Sequence, residues 1–157
     1  MPLSIVAIAV LSLFLSTQAP HVVDGDTLSI EGQEVHLRGI DAPELHQSCR
    51  RSDGSAFFCG QEAARALAAI VANGITCEPA DHNSLVTCRD QDDGDIALHL
   101  VRSGLVTANE ADGEYRVAEH QARIQRIGIW EGSFLHPRIW RERTSANPPI
   151  LIEGTDR

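Results

Sequence analysis

Carboxylates recur through VVDGDTLSIEGQEVHLRGIDAPE, residues 22–44, at Asp24, Asp26, Asp41 and Glu44. Asp26 and Asp41 fall at the ends of short β-branched runs, so their oxygens can meet at neighbouring strand ends. Hard cations such as calcium, magnesium or manganese take oxygen ligands of this kind. Asp24, directly before Gly25, reads as a turn residue whose side chain folds back on the backbone. Glu44 follows Pro43, whose ring stiffens the turn and helps to aim the carboxylate. Positive charge near these groups is scarce, and His36 and Arg38 are the candidates. Two residues apart on a strand, they share a face at roughly 6–7 Å. A protonated His36 adds charge at acidic pH.

Other chemistry-bearing residues read as ordinary. The run RDQDDGD at 89–95 puts Arg89 where a calcium loop needs an acidic first ligand, so it reads as a polar turn before a helix cap. Histidines at 21, 36, 46, 82, 99, 120 and 136 show neither H-x-x-x-H spacing nor a triad-like grouping. Arg138, Arg141 and Arg143 form the densest basic cluster, which reads as a solvated tail rather than a phosphate footprint.

The elements that must position the carboxylates follow from pattern. His21 to Val23, Thr27 to Ile30 and Glu34 to Ile40 are β-branched runs broken by Gly25 and Gly32, which predicts a three-strand meander. QEAARALAAIVAN, from Gln61 to Asn73, is built of helix formers with Ala63, Leu67, Ile70 and Val71 on one face and Gly74 after it. Ile75 to Glu78 and Leu85 to Arg89 predict two more strands around a turn at Asp81 to Ser84. Asp95 predicts the cap of a helix with Leu98 and Val101 inward that stops at Gly104, and Tyr115 to Ile127 predicts another ending at Gly128. Past Arg143, Pro148 and Pro149 predict an irregular extension over residues 144–157.

The chain of 157 residues suits one domain with one core. Residues 1–19 carry no charge and an apolar stretch from Ile5 to Leu15, too short to span a bilayer comfortably, which predicts a signal peptide or an uncleaved anchor and hence export to the periplasm or beyond. Four cysteines, at 49, 59, 77 and 88, then favour two disulfides over thiols or a zinc cluster. Three pairings are open, and the expected one joins Cys49 to Cys59 and Cys77 to Cys88. Against 22 Asp and Glu stand 13 basic residues, all arginine, for a net charge of −9. Affinity for nucleic acid draws on Lys and Arg displacing counterions from phosphates, so this balance argues against tight binding of a polyanion.

Residues 22–44 resemble the signature of the staphylococcal nuclease (thermonuclease) family, in which a D-G-D-T turn precedes, across a hairpin, an R-x-x-G-I-D-x-P-E type segment. The helix after Cys59-Gly60, LVRSGLV at 100–106, and GIWEGSF at 128–134 with Pro137 and Trp140 downstream extend the resemblance from His21 to Arg143. It implies an α+β, β-rich fold, a five-stranded OB barrel with three helices, over residues 20–143. It also implies calcium bound by Asp26, Asp41 and the backbone carbonyl of Ala42, with Glu44 as general base or water-positioning residue. The family's two catalytic arginines are missing: His36 stands at the first position and Ser84 at the second. Loss of one preorganised donor costs about 10²–10³ in rate, so loss of two costs roughly 10⁴–10⁶. The expected function is therefore an exported, monomeric, attenuated calcium-dependent nuclease acting on single-stranded or denatured DNA or RNA, with His36 or Arg38 as the phosphate clamp. The alternative is a non-catalytic module of the cell envelope.

Overall fold

The computed structural model describes residues 19–80, 84–109 and 113–146. The expected leader up to residue 18, the chain beyond residue 146 and Asn83 lie outside them.

Three short antiparallel strands open the domain: β1 (His21–Val22), β2 (Thr27–Ile30) and β3 (Gln33–Leu37). Thr27 pairs with His36 and Ile30 with Gln33, across a turn at Glu31 and Gly32 where both residues take positive φ. The expected third strand is divided. Gly39 has a φ of 83°, which breaks the run, so Ile40–Asp41 forms a separate strand, β4. A hairpin of β5 (Ser48–Arg50) and β6 (Ala56–Phe58) follows, then α1 (Cys59–Val71), β7 (Ile75–Pro79), β8 (Leu85–Asp90), α2 (Ile96–Arg102), β9 (Thr107–Ala108) and α3 (Gly113–Gln125). A 3-10 turn at Gly128–Glu131 leads to α4 (Pro137–Ala146).

One sheet carries the five strands expected, in the order β1-β2-β3-β8-β7, with β3 and β8 parallel and the other pairs antiparallel. The fold is α+β with a β-rich core. Among the described residues no ladder closes the sheet between its edge strands β1 and β7. Among the described residues there are four α-helices rather than three: Pro137 occupies the first helical position of the fourth, where its fixed φ and missing N–H cost nothing, and that helix continues past Arg143 to Ala146.

Leu28, Leu37, Leu67, Ile96, Leu100 and Val101 form the centre of the core. On α1 the expected face divides, with Ala63 and Leu67 fully buried and Ile70 and Val71 partly so. The Asp95 side chain accepts from the Leu98 N–H at 3.0 Å, capping α2 as expected. Both expected disulfides form. Cys77 and Cys88 face each other across β7 and β8, and Cys49–Cys59 ties the β5–β6 hairpin to the start of α1, in a small second core with Ile129. Two disulfides are consistent with an exported protein. Among the described residues no helix is long and apolar enough to cross a membrane.

Candidate active site

The turn between β1 and β2 brings Asp26 against the strand that bears Asp41. Asp24 accepts from the Asp26 N–H at 3.0 Å, the Asx turn expected of it. Gly25 permits the close approach, because a Cβ there would lie 2.8 Å from the Ala42 Cβ and 2.7 Å from the Ala63 Cβ. The Ala42 N–H then donates to Asp26 Oδ2 at 2.6 Å. Thr27 Oγ1 donates to Asp26 Oδ1 at 3.0 Å and lies 3.0 Å from His36 Nδ1. The Thr27 hydroxyl thus links the Asp26 carboxyl to the His36 ring. Burial pushes the Asp26 carboxyl up to about 7, the bond from Ala42 offsets part of this, and the Asp24 charge adds to it.

Asp41 is set by the short ladder of β4 with β9, where Thr107 Oγ1 donates to the Asp41 carbonyl at 2.9 Å. Glu44 sits on a turn locked from two sides. Its backbone N–H donates to Gln47 Oε1 at 3.2 Å, and its carbonyl accepts from the Gln47 N–H at 2.7 Å. Helix α1 starts directly against this turn: a Cβ on Gly60 would fall 1.9 Å from the Glu44 carbonyl oxygen, so position 60 requires glycine. The fully buried Gln47 side chain also donates through Nε2 to the Leu135 carbonyl at 2.6 Å, tying the turn to the segment entering α4.

From α4, Arg141 reaches back to both carboxylates. Its Nη1 lies 2.9 Å from Asp41 Oδ1 and 2.8 Å from Glu44 Oε1, and its Nη2 lies 3.2 Å from Asp41 Oδ2. This is a bidentate fork on Asp41 with a third bond to Glu44, a geometry arginine supplies and lysine does not. The hydrogen bonds to Asp41 and Glu44 raise the guanidinium pKa above its already high value. His136 Nδ1 stands 3.8 Å from Asp41 Oδ2.

These groups line one cavity of about 390 Å³, which holds Asp24, Asp26, His36, Asp41, Glu44 and Arg141 among its walls. Four of the six residues expected at the site, Asp26, Asp41, Glu44 and His36, thus share a space. Ala42 adjoins it as the donor to Asp26. Arg38 is not among the residues lining it and is exposed, although its backbone N–H still bonds to the Val86 carbonyl at 2.9 Å. Ser84 has a φ of 60° just before β8 and accepts from the His36 N–H at 2.8 Å through its carbonyl, leaving its position without charge. Arg141 is the one arginine on the cavity wall, and sequence reasoning placed it in a solvated tail. The available signal was Pro137, which marks the first turn of a helix.

The donor chemistry suits a hard cation, since the cavity presents several carboxylate oxygens. The arrangement as folded does not suit one. Both Asp26 oxygens accept from neutral protein donors and both Asp41 oxygens hold Arg141. Among the described residues, no three His, Cys, Asp or Glu side chains are grouped so as to hold a metal ion.

Comparison with known proteins places this site in a family context. The succinoglycan biosynthesis protein ExoI of Rhizobium meliloti (strain 1021) is 34% identical over 123 residues, which is 73% of this chain and 64% of that relative's length. The model of the staphylococcal nuclease homologue family matches residues 34–132, a span that takes in His36, Asp41 and Glu44 and stops before α4. The chain belongs to the staphylococcal nuclease homologue family.

Proposed function

We propose that the chain is an exported, attenuated phosphodiesterase of the nuclease type, acting on single-stranded or denatured DNA or RNA. The observation that carries this reading is the meeting of Asp26, Asp41, Glu44 and His36 in a single cavity. Glu44 is the group placed to take a proton from water: its backbone is locked by Gln47 and Gly60, and its side chain is partly open to solvent. The water oxygen bonds to phosphorus, the bond to the leaving sugar oxygen breaks, and that oxygen takes a proton from solvent. His36 contributes a donor to the phosphate when protonated. Arg141 contributes little free charge, because Asp41 and Glu44 already share it. A cavity so poor in uncommitted cations makes a slow enzyme. Calcium, the ion of the family, finds Asp41 engaged by Arg141.

The second reading, a non-catalytic module of the cell envelope, draws on the same pairing of Arg141 with Asp41 and Glu44, and on a relative named for polysaccharide biosynthesis. The experiment is hydrolysis of denatured DNA and of RNA by the oxidised protein, with calcium and with chelator, beside Glu44→Gln. Cleavage that disappears in the variant supports the phosphodiesterase. Cleavage no greater than that of the variant overturns it in favour of the module.

A further inference from the structure

We propose that Arg141 decides which cation this cavity holds: its guanidinium is the built-in counter-ion of Asp41 and Glu44, and it excludes a divalent ion from Asp41. The proposal rests on reading the cavity as the family's site. Three observations carry it. Both Asp41 oxygens bond to Arg141, at 2.9 and 3.2 Å, so a divalent ion on either would have to sit against the guanidinium charge or displace it. The Asp41 side chain is only 12% exposed, which leaves it little freedom to serve a second cation beside the first. The arginine is also delivered rather than merely nearby. Buried Pro137 starts α4, and Gln47 pins Leu135, two residues before it, to the Glu44 turn.

A tethered partner competes at an effective concentration set by its attachment, which reaches the millimolar range even for flexible links. The two charge-assisted bonds to Asp41 then have to be exchanged before a free ion can take it. The two cations are alternatives at one carboxylate, so removing one should expose the other's intrinsic affinity. On α4, Arg138 offers an internal control. It carries the same charge but pairs with Glu142 on its own helix, at 2.7 Å, and touches neither cavity carboxylate.

The test is calorimetric titration of the oxidised full chain with calcium chloride, for the wild type and for Arg141→Gln, Arg141→Lys and Arg138→Gln, with thermal melting of each. Arg141→Gln should bind calcium at least tenfold more tightly than wild type and show the larger rise in melting temperature on adding the ion. Arg141→Lys, which keeps the charge without the planar fork, should fall between them. Arg138→Gln should stay within about twofold of wild type, as expected for a solvated charge. Equal affinity in wild type and Arg141→Gln, whether tight or absent, overturns the proposal, as does an equal gain in Arg138→Gln. Should Arg141→Gln fail to melt cooperatively, the Arg141→Lys comparison decides on its own. The phosphodiesterase reading fails separately, if wild-type cleavage does not exceed that of Glu44→Gln, whatever calcium affinity Arg141→Gln shows.

Discussion

Asp26 and Asp41 line the same cavity and are held in opposite ways. Asp26 meets only neutral donors, the Ala42 amide and the Thr27 hydroxyl, with another carboxylate, Asp24, behind it. Burial resists its charge, Asp24 adds to that and the two donors offset only part of it, so the carboxyl is pushed up to about 7. Asp41 faces the forked guanidinium of Arg141, and His136 stands close by. One residue type thus serves two electrostatic roles a few side chains apart. The difference comes from which element lies opposite: a backbone turn for Asp26, and helix α4 for Asp41.

The comparison can be broken most severely on the Arg141 side. Glu44→Gln keeps the size of the side chain but cannot accept a proton from water. It should lower hydrolysis of denatured DNA by about 10³-fold, in the range of a lost general base, with the melting temperature nearly unchanged. On the opposite wall the expected effect is on stability. Asp26 has a folded-state pKa above its unfolded one, so the folded form binds the proton more tightly. Stability from this group is complete below about pH 4 and is lost as pH rises towards 7, by about 4 kcal/mol in all. Asp26→Asn should flatten that slope, as read by urea unfolding in chelator at pH 4, 6 and 8. A slope unchanged by the substitution would place the titration elsewhere.

Smaller effects sharpen the contrast. A double-mutant cycle of Arg141→Gln with Asp41→Asn should give a coupling of about 1–2 kcal/mol that shrinks in high salt, because the pair is charged and its arginine is about half open to water. Thr27→Val, on the Asp26 wall, should cost about 1 kcal/mol and show no such salt dependence, since the bonds it removes include no cation.

The sequence made the main frame legible because that frame repeats. Alternating β-branched runs marked β1, β2, β3, β7 and β8, and the helix-forming run before Gly74 marked α1. Elements of two or three residues offer no such period. The ladder of β4 with β9 and the β5–β6 hairpin exist through partners distant in the chain, such as Thr107 for Asp41 and Ser133 for Arg50. At the site the division was similar. The carboxylates stood within one local motif and could be named. Their arginine could not, because a polar stretch after GIWEGSF looks alike whether it folds away from the domain or docks on it.

The contacts of Arg141 also set an order in time. It follows Asp41 by 100 residues and Glu44 by 97. At a synthesis rate of about 5–20 residues per second, roughly 5–20 s separate the making of these carboxylates from the making of the arginine that neutralises them. During that interval the growing chain presents Asp41 and Glu44 to whatever counter-ion its surroundings offer, and only the docking of α4 ends the exchange.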